Sequence, residues 1–295
     1  MTVLCFHIGL PKTATTYLQW SIFPTIARVD LIHQSQGDKR ARKFLVDLKN
    51  YCTLGRRRNP LKRTLRNWSA RRQVLLKDRV PAPRCTVFTS ENISMTPNGV
   101  WTGDGPPPAV VAERLAITAE ELGVAARHVK IIFGLRSQAP WLASRYAESS
   151  KSNSDFAQVD FEKRLETIAN SCKLSDPLQW LDYAGVHEAL SDFFEPENLL
   201  LLPLETLAGM TELGCRRRIA DFLGVDSQAL TASPPAKQVP LNALALSGES
   251  WRLKSGAGQI TLTPPMAAAI AQRFASSNHA LYVRTGIDLS GVDRL

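Results

Sequence analysis

Several features that define whole classes of protein are missing from this sequence of 295 residues. No run approaches 18 uncharged apolar residues, so we expect no membrane-spanning helix. The N-terminus lacks the charged and apolar regions of a secretory signal peptide. The five cysteines are scattered and none form a closely spaced pair, which argues against a zinc site and favours a reducing compartment. These absences together predict a cytoplasmic protein without a bound metal.

Positive charge is the strongest bias that is present. The formal net charge is +9, and residues 39–84 hold 16 of the 36 Lys and Arg residues but only two of the 27 acids. Such a segment is either a solvated helical face or a surface for an anionic partner, such as a sulfated or phosphorylated substrate, a lipid headgroup or nucleic acid. No nucleic-acid-binding motif accompanies it, so we expect no nucleic acid partner.

Apolar runs and helical patterns alternate along the chain. The segments TVLCFHIG, CTVFTS, VKIIFGL and NLLLLPL are typical of buried strands, whereas AVVAERLAITAEELG and CRRRIADFLG have helical periodicity. Buried strands separated by helices predict an α/β fold with a central parallel sheet and helices on both faces. We predict one domain over residues 1–295, with a basic insertion around 39–84 and loops at 96–110 and 230–259.

The first strand runs into HIGLPKTATT, residues 7–16, which has the composition of a phosphate-binding turn. The nucleotide triphosphatase pattern G-x-x-x-x-G-K-[ST], counted from Gly9, requires glycine and lysine where this chain has Ala14 and Thr15. Lys12 instead comes three residues after Gly9. Backbone N–H groups at a helix start, hydroxyls and a cation remain, and these bind phosphate. The alternative is that the lysine and threonines merely cap a helix.

A second candidate site follows the strand VKIIFGL. Arg136 ends this strand, and Ser144 comes eight residues later, about two turns into a predicted helix. A guanidinium fork and a hydroxyl suit a terminal phosphate group. The alternative is an arginine that binds backbone carbonyls beside a buried helix serine.

The two motifs resemble those of the sulfotransferases that use 3′-phosphoadenosine 5′-phosphosulfate as donor. That family has a P-K-[TS]-G-[TS]-[TS] loop after its first strand and a strand–Arg–x₇–Ser motif, and HIGLPKTATTYLQ is especially similar to bacterial carbohydrate-sulfotransferase-like proteins. Ala14 replaces the usual glycine, which is tolerable at negative φ, and Arg136-Ser137-Gln138 stands where Arg-Asn-Pro is frequent. Weaker similarity, in LLLLPLETL, IADFLGV and SSNHALYVRTGIDL, extends it over most of the chain.

This resemblance implies a P-loop-like sheet, a sulfuryl transfer without a metal, and specific roles for residues. Arg136 and Ser144 would bind the 3′-phosphate. The acceptor would be a hydroxyl or amine, with a carbohydrate or glycolipid favoured and an anionic one admitted by the basic segment. The sequence does not indicate the oligomeric state. The 5′-phosphosulfate would be bound by Gly9, Pro11, Lys12, Thr13, Ala14, Thr15 and Thr16.

Sulfuryl transfer also needs a base for the acceptor proton. Glu91, just past the strand CTVFTS, is the first candidate, since the family's base commonly follows the strand after the phosphosulfate loop. It could instead cap a helix. His7 is the second candidate, and Glu148 and Glu205 are fallback carboxylates without a matching context. Two other functions stay open: a P-loop kinase or nucleotide triphosphatase, and a non-enzymatic polyanion-binding protein.

Overall fold

The computed structural model describes residues 3–33, 39–55, 84–96, 98–152, 155–225, 245–247, 249–256 and 258–289. The chain divides into two compact units. Unit 1 comprises Met1–Met95, Ala109–Leu135 and Ala189–Leu241, and unit 2 comprises Thr96–Pro108, Arg136–Glu188 and Asn242–Leu295. The prediction that the whole chain forms one domain stays a prediction.

A five-stranded sheet forms the centre of unit 1. Its strands are β1 (Val3–Gly9), β2 (Val29–His33), β3 (Cys85–Thr89), β4 (Val129–Leu135) and β5 (Leu199–Pro203). They are parallel throughout and lie in the order β2-β3-β1-β4-β5. Side chains of β1, β3 and β4 are buried on both faces, as expected where helices cover a parallel sheet. The predicted α/β fold with a central parallel sheet and helices around it is confirmed.

Helices connect these strands and build most of unit 2. They are α1 (Thr15–Tyr17), α2 (Lys39–Leu54), α3 (Gly99–Thr102), α4 (Pro108–Glu121), α5 (Gln138–Ser149), α6 (Gln158–Asn170), α7 (Tyr183–Ser191), α8 (Leu204–Gly209), α9 (Glu212–Leu223) and α10 (Pro264–Thr285). Helix α9 ends at Gly224, whose φ of 68° is the left-handed conformation that glycine adopts without strain. The same glycine is where the sequence predicts the helix to stop.

The segment after β1 departs from regular α-helix geometry. Helix α1 continues as a π-helical turn, Leu18–Ile22, and then as a 3₁₀ turn, Phe23–Thr25, that contains Pro24. Proline has no N–H for an i→i−4 bond, so regular α-helical hydrogen bonding cannot continue through this position. Leu18, Ile22 and Phe23 nevertheless pack into the core on one side of the sheet, and this contact fixes the segment beneath the loop that precedes it.

Unit 2 contains a second, smaller sheet. Strands β6 (Ala245–Ser247), β7 (Ser250–Arg252) and β8 (Gln259–Thr261) are antiparallel. Helices α5 and α6 pack against this sheet and against α10. The hydroxyl of Tyr146, on α5, lies 2.7 Å from Asp160 Oδ2, and Arg164 Nε donates to the same carboxylate oxygen at 2.7 Å. This polar network and the surrounding rings fasten α5 to α6.

Two of the predicted loops differ from the structure. The segment 96–110 contains α3 and the first turn of α4. Helix α4 can begin at Pro108 because the first helical position tolerates a missing N–H. The end of the segment 230–259 contributes to β6, β7 and β8. Each of these strands has only three residues, which is too few to show the alternation of apolar and polar residues that is typical of a strand. Residues 230–244 lie outside the described residues, as do 56–83 of the basic segment. Among the described helices, none is long and apolar enough to cross a membrane.

Candidate functional site

The loop after β1 begins where two strands approach very closely. Gly9 has φ 146°, and a Cβ placed on it would lie only 2.6 Å from the backbone nitrogen of Gly134 on β4. The next residue, Leu10, donates its N–H to the carbonyl oxygen of Gly134 at 3.0 Å. Any side chain at Gly9 would force β1 and β4 apart, so this glycine sets the point at which the chain leaves the sheet.

Thr13 holds the loop in shape from inside. Its side chain is buried, and its hydroxyl donates to the carbonyl oxygen of Leu10 at 2.6 Å. A Cβ on Gly134 would lie 2.5 Å from Thr13 Oγ1. The loop therefore rests on bare backbone of β4, and the hydroxyl predicted to contact a phosphate serves the internal structure of the loop.

Two residues of the loop have left-handed backbone conformations, Lys12 with φ 71° and Ala14 with φ 64°. Right-handed helix follows at once from Thr15. A left-handed residue followed by a right-handed one turns successive N–H groups towards a common point, and such concave backbone binds anions. The Lys12 side chain is half-buried and that of Thr16 is exposed, whereas Pro11 and Thr15 are buried.

The prediction that Ala14 has a negative φ is wrong. Its φ is 64°, and this left-handed conformation costs an alanine about 1–2 kcal/mol. The methyl group is 9% exposed and packs in the same apolar cluster as Leu18 and Ile22. Burying it returns up to about 0.8 kcal/mol, which offsets part of the backbone cost.

Glu91 lies in a turn that is fixed to the end of β1. It begins the 3₁₀ turn Glu91–Ile93 directly after β3, and its side chain is half-buried. On one side of the turn, the N–H of Ser90 donates to the carbonyl oxygen of His7 at 3.1 Å. On the other side, Ser94 Oγ accepts the N–H of Gly9 at 3.0 Å. The predicted base and the predicted phosphate loop are therefore anchored to the same three residues of β1.

His7, the second candidate base, is enclosed by polar and aromatic side chains. Its Nδ1 lies 2.7 Å from Thr89 Oγ1, which also accepts a hydrogen bond from Gln19 Nε2 at 2.9 Å. Phe23 packs edge-on against the imidazole, with ring centroids 5.1 Å apart. Burial, together with the nearby His33, lowers the pKa of His7 to about 3. An imidazole of that pKa is neutral at pH 7 and too weakly basic to be an efficient general base.

The second phosphate motif lies in unit 2. Arg136 is the first residue of the segment Arg136–Glu188, and Ser144 lies on α5. Arg136 is 7% exposed, and its carbonyl oxygen accepts the hydroxyl of Tyr183 at 2.5 Å. Ser144 is 3% exposed in the middle of α5. Glu148, one of the unmatched carboxylates, forms ion pairs with Arg145 at 3.3 Å and with Lys254 at 3.2 Å. Those pairs give Glu148 a structural role.

Three uncharged residues that hold parts of this site in place were not predicted from the sequence. Gly134, Ser94 and Gln19 support the loop, the Glu91 turn and His7 respectively. A glycine inside the apolar strand VKIIFGL signals a close approach of another segment, so Gly134 could have been found. Ser94 and Gln19 have no comparable signal, because their partners are more than 65 residues away in sequence.

No family model and no curated protein matches the sequence. Among solved structures, the chain is similar to a sulfotransferase from Alicyclobacillus acidocaldarius, with 13% identity, a TM-score of 0.53 and 97% of each chain covered. The chain has the sulfotransferase fold. Two further similar structures are mouse sulfotransferase SULT7A1 complexed with PAP (12% identity, 99% of this chain and 87% of that one, TM-score 0.40) and the sulfotransferase domain from the curacin biosynthetic pathway (15% identity, 94% and 97%, TM-score 0.33). The predicted resemblance is confirmed at the level of the fold.

Within this sulfotransferase fold, the loop and the Glu91 turn follow neighbouring strands. β1 and β3 are hydrogen-bonded in parallel, with His7 opposite Thr89. Their carboxyl ends meet at one edge of the sheet, where α/β proteins bind their ligands. A concave backbone, one cation and one carboxylate are thus positioned at the same edge.

Proposed function

We propose that this protein is a sulfotransferase that moves a sulfuryl group from 3′-phosphoadenosine 5′-phosphosulfate to an acceptor hydroxyl or amine. The observation that carries the proposal is the anchoring of two elements to the end of β1. The Glu91 turn bonds to His7 and Gly9, and the loop with left-handed Lys12 and Ala14 starts at Gly9. A base and an anion-binding turn fixed to one strand end suit a reaction at the sulfur of a bound phosphosulfate.

The loop would bind the 5′ end of the donor. The N–H groups of residues 12–16 would donate to the phosphosulfate oxygens, and Lys12 would place its ammonium group beside the oxygen that bridges phosphorus and sulfur. As the acceptor oxygen or nitrogen attacks sulfur, its bond to sulfur forms and the bridging S–O bond breaks. The electron pair of that bond leaves with adenosine 3′,5′-bisphosphate, and Lys12 would stabilise the negative charge that develops there.

Glu91 would accept the proton that the acceptor loses. A carboxylate on a turn that two backbone-anchored hydrogen bonds hold in place needs little reorganisation for this step. His7 is disfavoured, since burial lowers its pKa to about 3. No step requires a metal ion, because Lys12 supplies the charge at the leaving oxygen.

Arg136 and Ser144 would bind the 3′-phosphate of the donor. A guanidinium and a hydroxyl, both largely buried, make stronger bonds to a phosphate than exposed groups do, since water competes less. By resemblance the favoured acceptor is a carbohydrate or glycolipid. The proposed location is the cytoplasm, and the cysteines, all free, are compatible with a reducing environment.

Transfer of ³⁵S-labelled sulfuryl groups from the donor to a panel of oligosaccharides and glycolipids tests this function. Glu91→Gln should lower turnover by roughly 10²- to 10⁴-fold while the affinity for adenosine 3′,5′-bisphosphate stays within about twofold, since only proton acceptance is lost. Glu120→Gln, an exposed change on α4, is the matched control and should leave both quantities unchanged. Near-normal turnover of Glu91→Gln would rule out Glu91 as the base.

A further inference from the structure

Unit 2 contains an open cavity of about 520 Å³ whose lining includes none of the residues assigned to the proposed reaction. It lies between the first turn of α5, one face of α10, and residues Asp288 and Leu289 that follow α10. This volume is within the range of about 300–1,000 Å³ that small-molecule sites occupy. The cavity is therefore large enough to take a ligand of one or two sugar rings.

The sequence of α10 explains why the cavity stays open. Six of its residues share one helical face and line the cavity: Ala271, Gln272, Ala275, Asn278, His279 and Tyr282. These residues are spaced three or four positions apart or are adjacent, which places them in one stripe along an α-helix. The two alanines are too small to fill the space, and the amide and imidazole side chains are too polar to be buried against an apolar core without partners.

Two amide side chains are held in a defined orientation at the inner wall. Gln138 Nε2 donates to Asn278 Oδ1 at 2.8 Å and to the carbonyl oxygen of Leu181 at 3.1 Å. In return, Asn278 Nδ2 donates to Gln138 Oε1 at 3.2 Å. Among the bonds of the described residues, this is the single donation by Asn278, whose amide carries a second hydrogen. Because the pair is reciprocal, the remaining donor and acceptor positions point in fixed directions.

The charge of the cavity differs from that of the chain as a whole. The chain carries a net charge of +9, yet no lysine or arginine is among the described residues that line this cavity, and Asp288 is the one carboxylate among them. An anion such as a phosphate or sulfate would find no cation among these described residues. The lining amides and Asp288 instead offer both donors and acceptors, and the exposed ring of Tyr282 offers a flat apolar surface at the rim.

We propose that this cavity binds a neutral, polyhydroxylated ligand, that is, an uncharged sugar. Vicinal hydroxyls both donate and accept, which matches the amides of Gln272 and Asn278, and the C–H face of a sugar ring packs on an aromatic ring such as Tyr282. The inference stands apart from the proposed function, since binding in the cavity requires neither donor nor transfer.

Calorimetry and ligand-observed NMR with maltose, cellobiose and N,N′-diacetylchitobiose test the proposal. At least one of these disaccharides should bind the wild-type protein with a millimolar Kd. Ala275→Trp, which fills the cavity from an exposed helix position, should weaken that binding about tenfold or more. Ser276→Trp adds the same ring to the neighbouring residue outside the cavity and should leave binding unchanged. Gln272→Leu should also weaken binding, and it disturbs no hydrogen bond of the described residues.

Three results would overturn the proposal. One is that none of the three sugars binds at concentrations up to their solubility. Another is that Ala275→Trp binds the sugar as well as Ser276→Trp does, when thermal denaturation shows both to be folded. The last is that a sulfated heparin disaccharide binds more tightly than the neutral sugars and is displaced by them, which would make the cavity an anion site. Adenosine 3′,5′-bisphosphate affinity, measured on the same variants, should not change and reports separately on the donor site.

Discussion

Replacing Gly134 by alanine would disturb the loop without changing any residue in it. The added Cβ would lie 2.5 Å from Thr13 Oγ1 and 3.3 Å from Thr13 Cβ. Ordinary contact needs about 3.4 Å or more, so Thr13 must move by most of an ångström. That movement breaks the hydrogen bond from its hydroxyl to Leu10, which is 2.6 Å long and buried.

The expected loss of stability follows from these contacts. Overpacking a buried site costs about 1–3 kcal/mol, and a lost buried hydrogen bond costs about 1 kcal/mol or more. Replacing a strand glycine returns roughly 0.5–1 kcal/mol because the unfolded chain loses freedom. The net change in the free energy of unfolding for Gly134→Ala is therefore about 2 kcal/mol. Since Thr13 lies between Lys12 and Ala14, the affinity for adenosine 3′,5′-bisphosphate should fall about tenfold as well.

A double-mutant cycle with Thr13→Ala isolates the clash. Thr13→Ala removes the hydroxyl that Gly134→Ala would strike, so the double variant should be less destabilised than the sum of the single changes by about 1–2 kcal/mol. Urea denaturation supplies the free energies of unfolding, and calorimetry supplies the ligand affinities. Gly209→Ala is the matched control: it has open space around its Cβ position, lies at the end of α8, and should stabilise the protein slightly.

Two outcomes would refute this reasoning. If Gly134→Ala is as harmless as Gly209→Ala, the loop does not rest on β4. If the single changes add without coupling, Thr13 and Gly134 do not touch, and the loop must be fixed by other contacts.

The remaining predictions concern other groups near the same strand end. As the pH falls from 6.5 towards 3, the free energy of unfolding should decrease by up to about 1.4 kcal/mol per pH unit, because unfolded His7 takes up a proton that folded His7, with its pKa of about 3, excludes. Urea denaturation across this range should show a slope that His7→Gln reduces, and equal slopes for the wild type and this variant would contradict the prediction. Ala14→Val should destabilise the protein by at least about 2 kcal/mol, since a β-branched residue resists the left-handed conformation; a stability equal to that of wild type would show that Ala14 is not left-handed. Lys12→Ala should lower both the affinity for adenosine 3′,5′-bisphosphate and turnover, unlike Glu91→Gln, which should lower turnover alone; retention of both properties by Lys12→Ala would contradict the role of the loop.

The strands of the central sheet could be predicted from the sequence because each is an apolar run long enough to stand out. The segments VKIIFGL and NLLLLPL contain β4 and β5, and α9 ends before Gly224. The strands β6, β7 and β8 could not be predicted in this way. Each has three residues. Trp251 and Ile260 are buried, but the residues around them in sequence are typical of a loop.

The position of the loop after β1 could be predicted from the sequence, but the conformation of the loop residues could not. Lys12 and Ala14 both adopt positive φ, although neither is a glycine. Local preference argues against this conformation at an alanine, so only the contacts of the folded loop with β4 reveal it. The strain is opposed by the bond from Thr13 to Leu10 and by burial of the Ala14 methyl group.

The burial that disfavours His7 as a base likewise could not be predicted from the sequence. Sequence places Glu91 after one strand and His7 near the end of another, and the preference for Glu91 came from the family resemblance. The depth of His7, and its contacts with Thr89 and Phe23, come from strand pairing and from the packing of a distant segment. Such long-range contacts set the pKa of His7, and no local pattern encodes them.

The central claim is that the chain binds a donor with phosphate groups at both its 5′ and 3′ positions. Calorimetry of the wild-type protein with adenosine 3′,5′-bisphosphate and with AMP tests it most directly, with Arg136→Ala as the variant and the exposed Arg127→Ala as its matched control. Loss of two or three charge-assisted bonds costs on the order of 3 kcal/mol, so the bisphosphate should bind at least about 100-fold more tightly than AMP. Arg136→Ala should remove most of that difference, and Arg127→Ala should preserve it. Equal affinities of the wild-type protein for the two nucleotides would contradict the account.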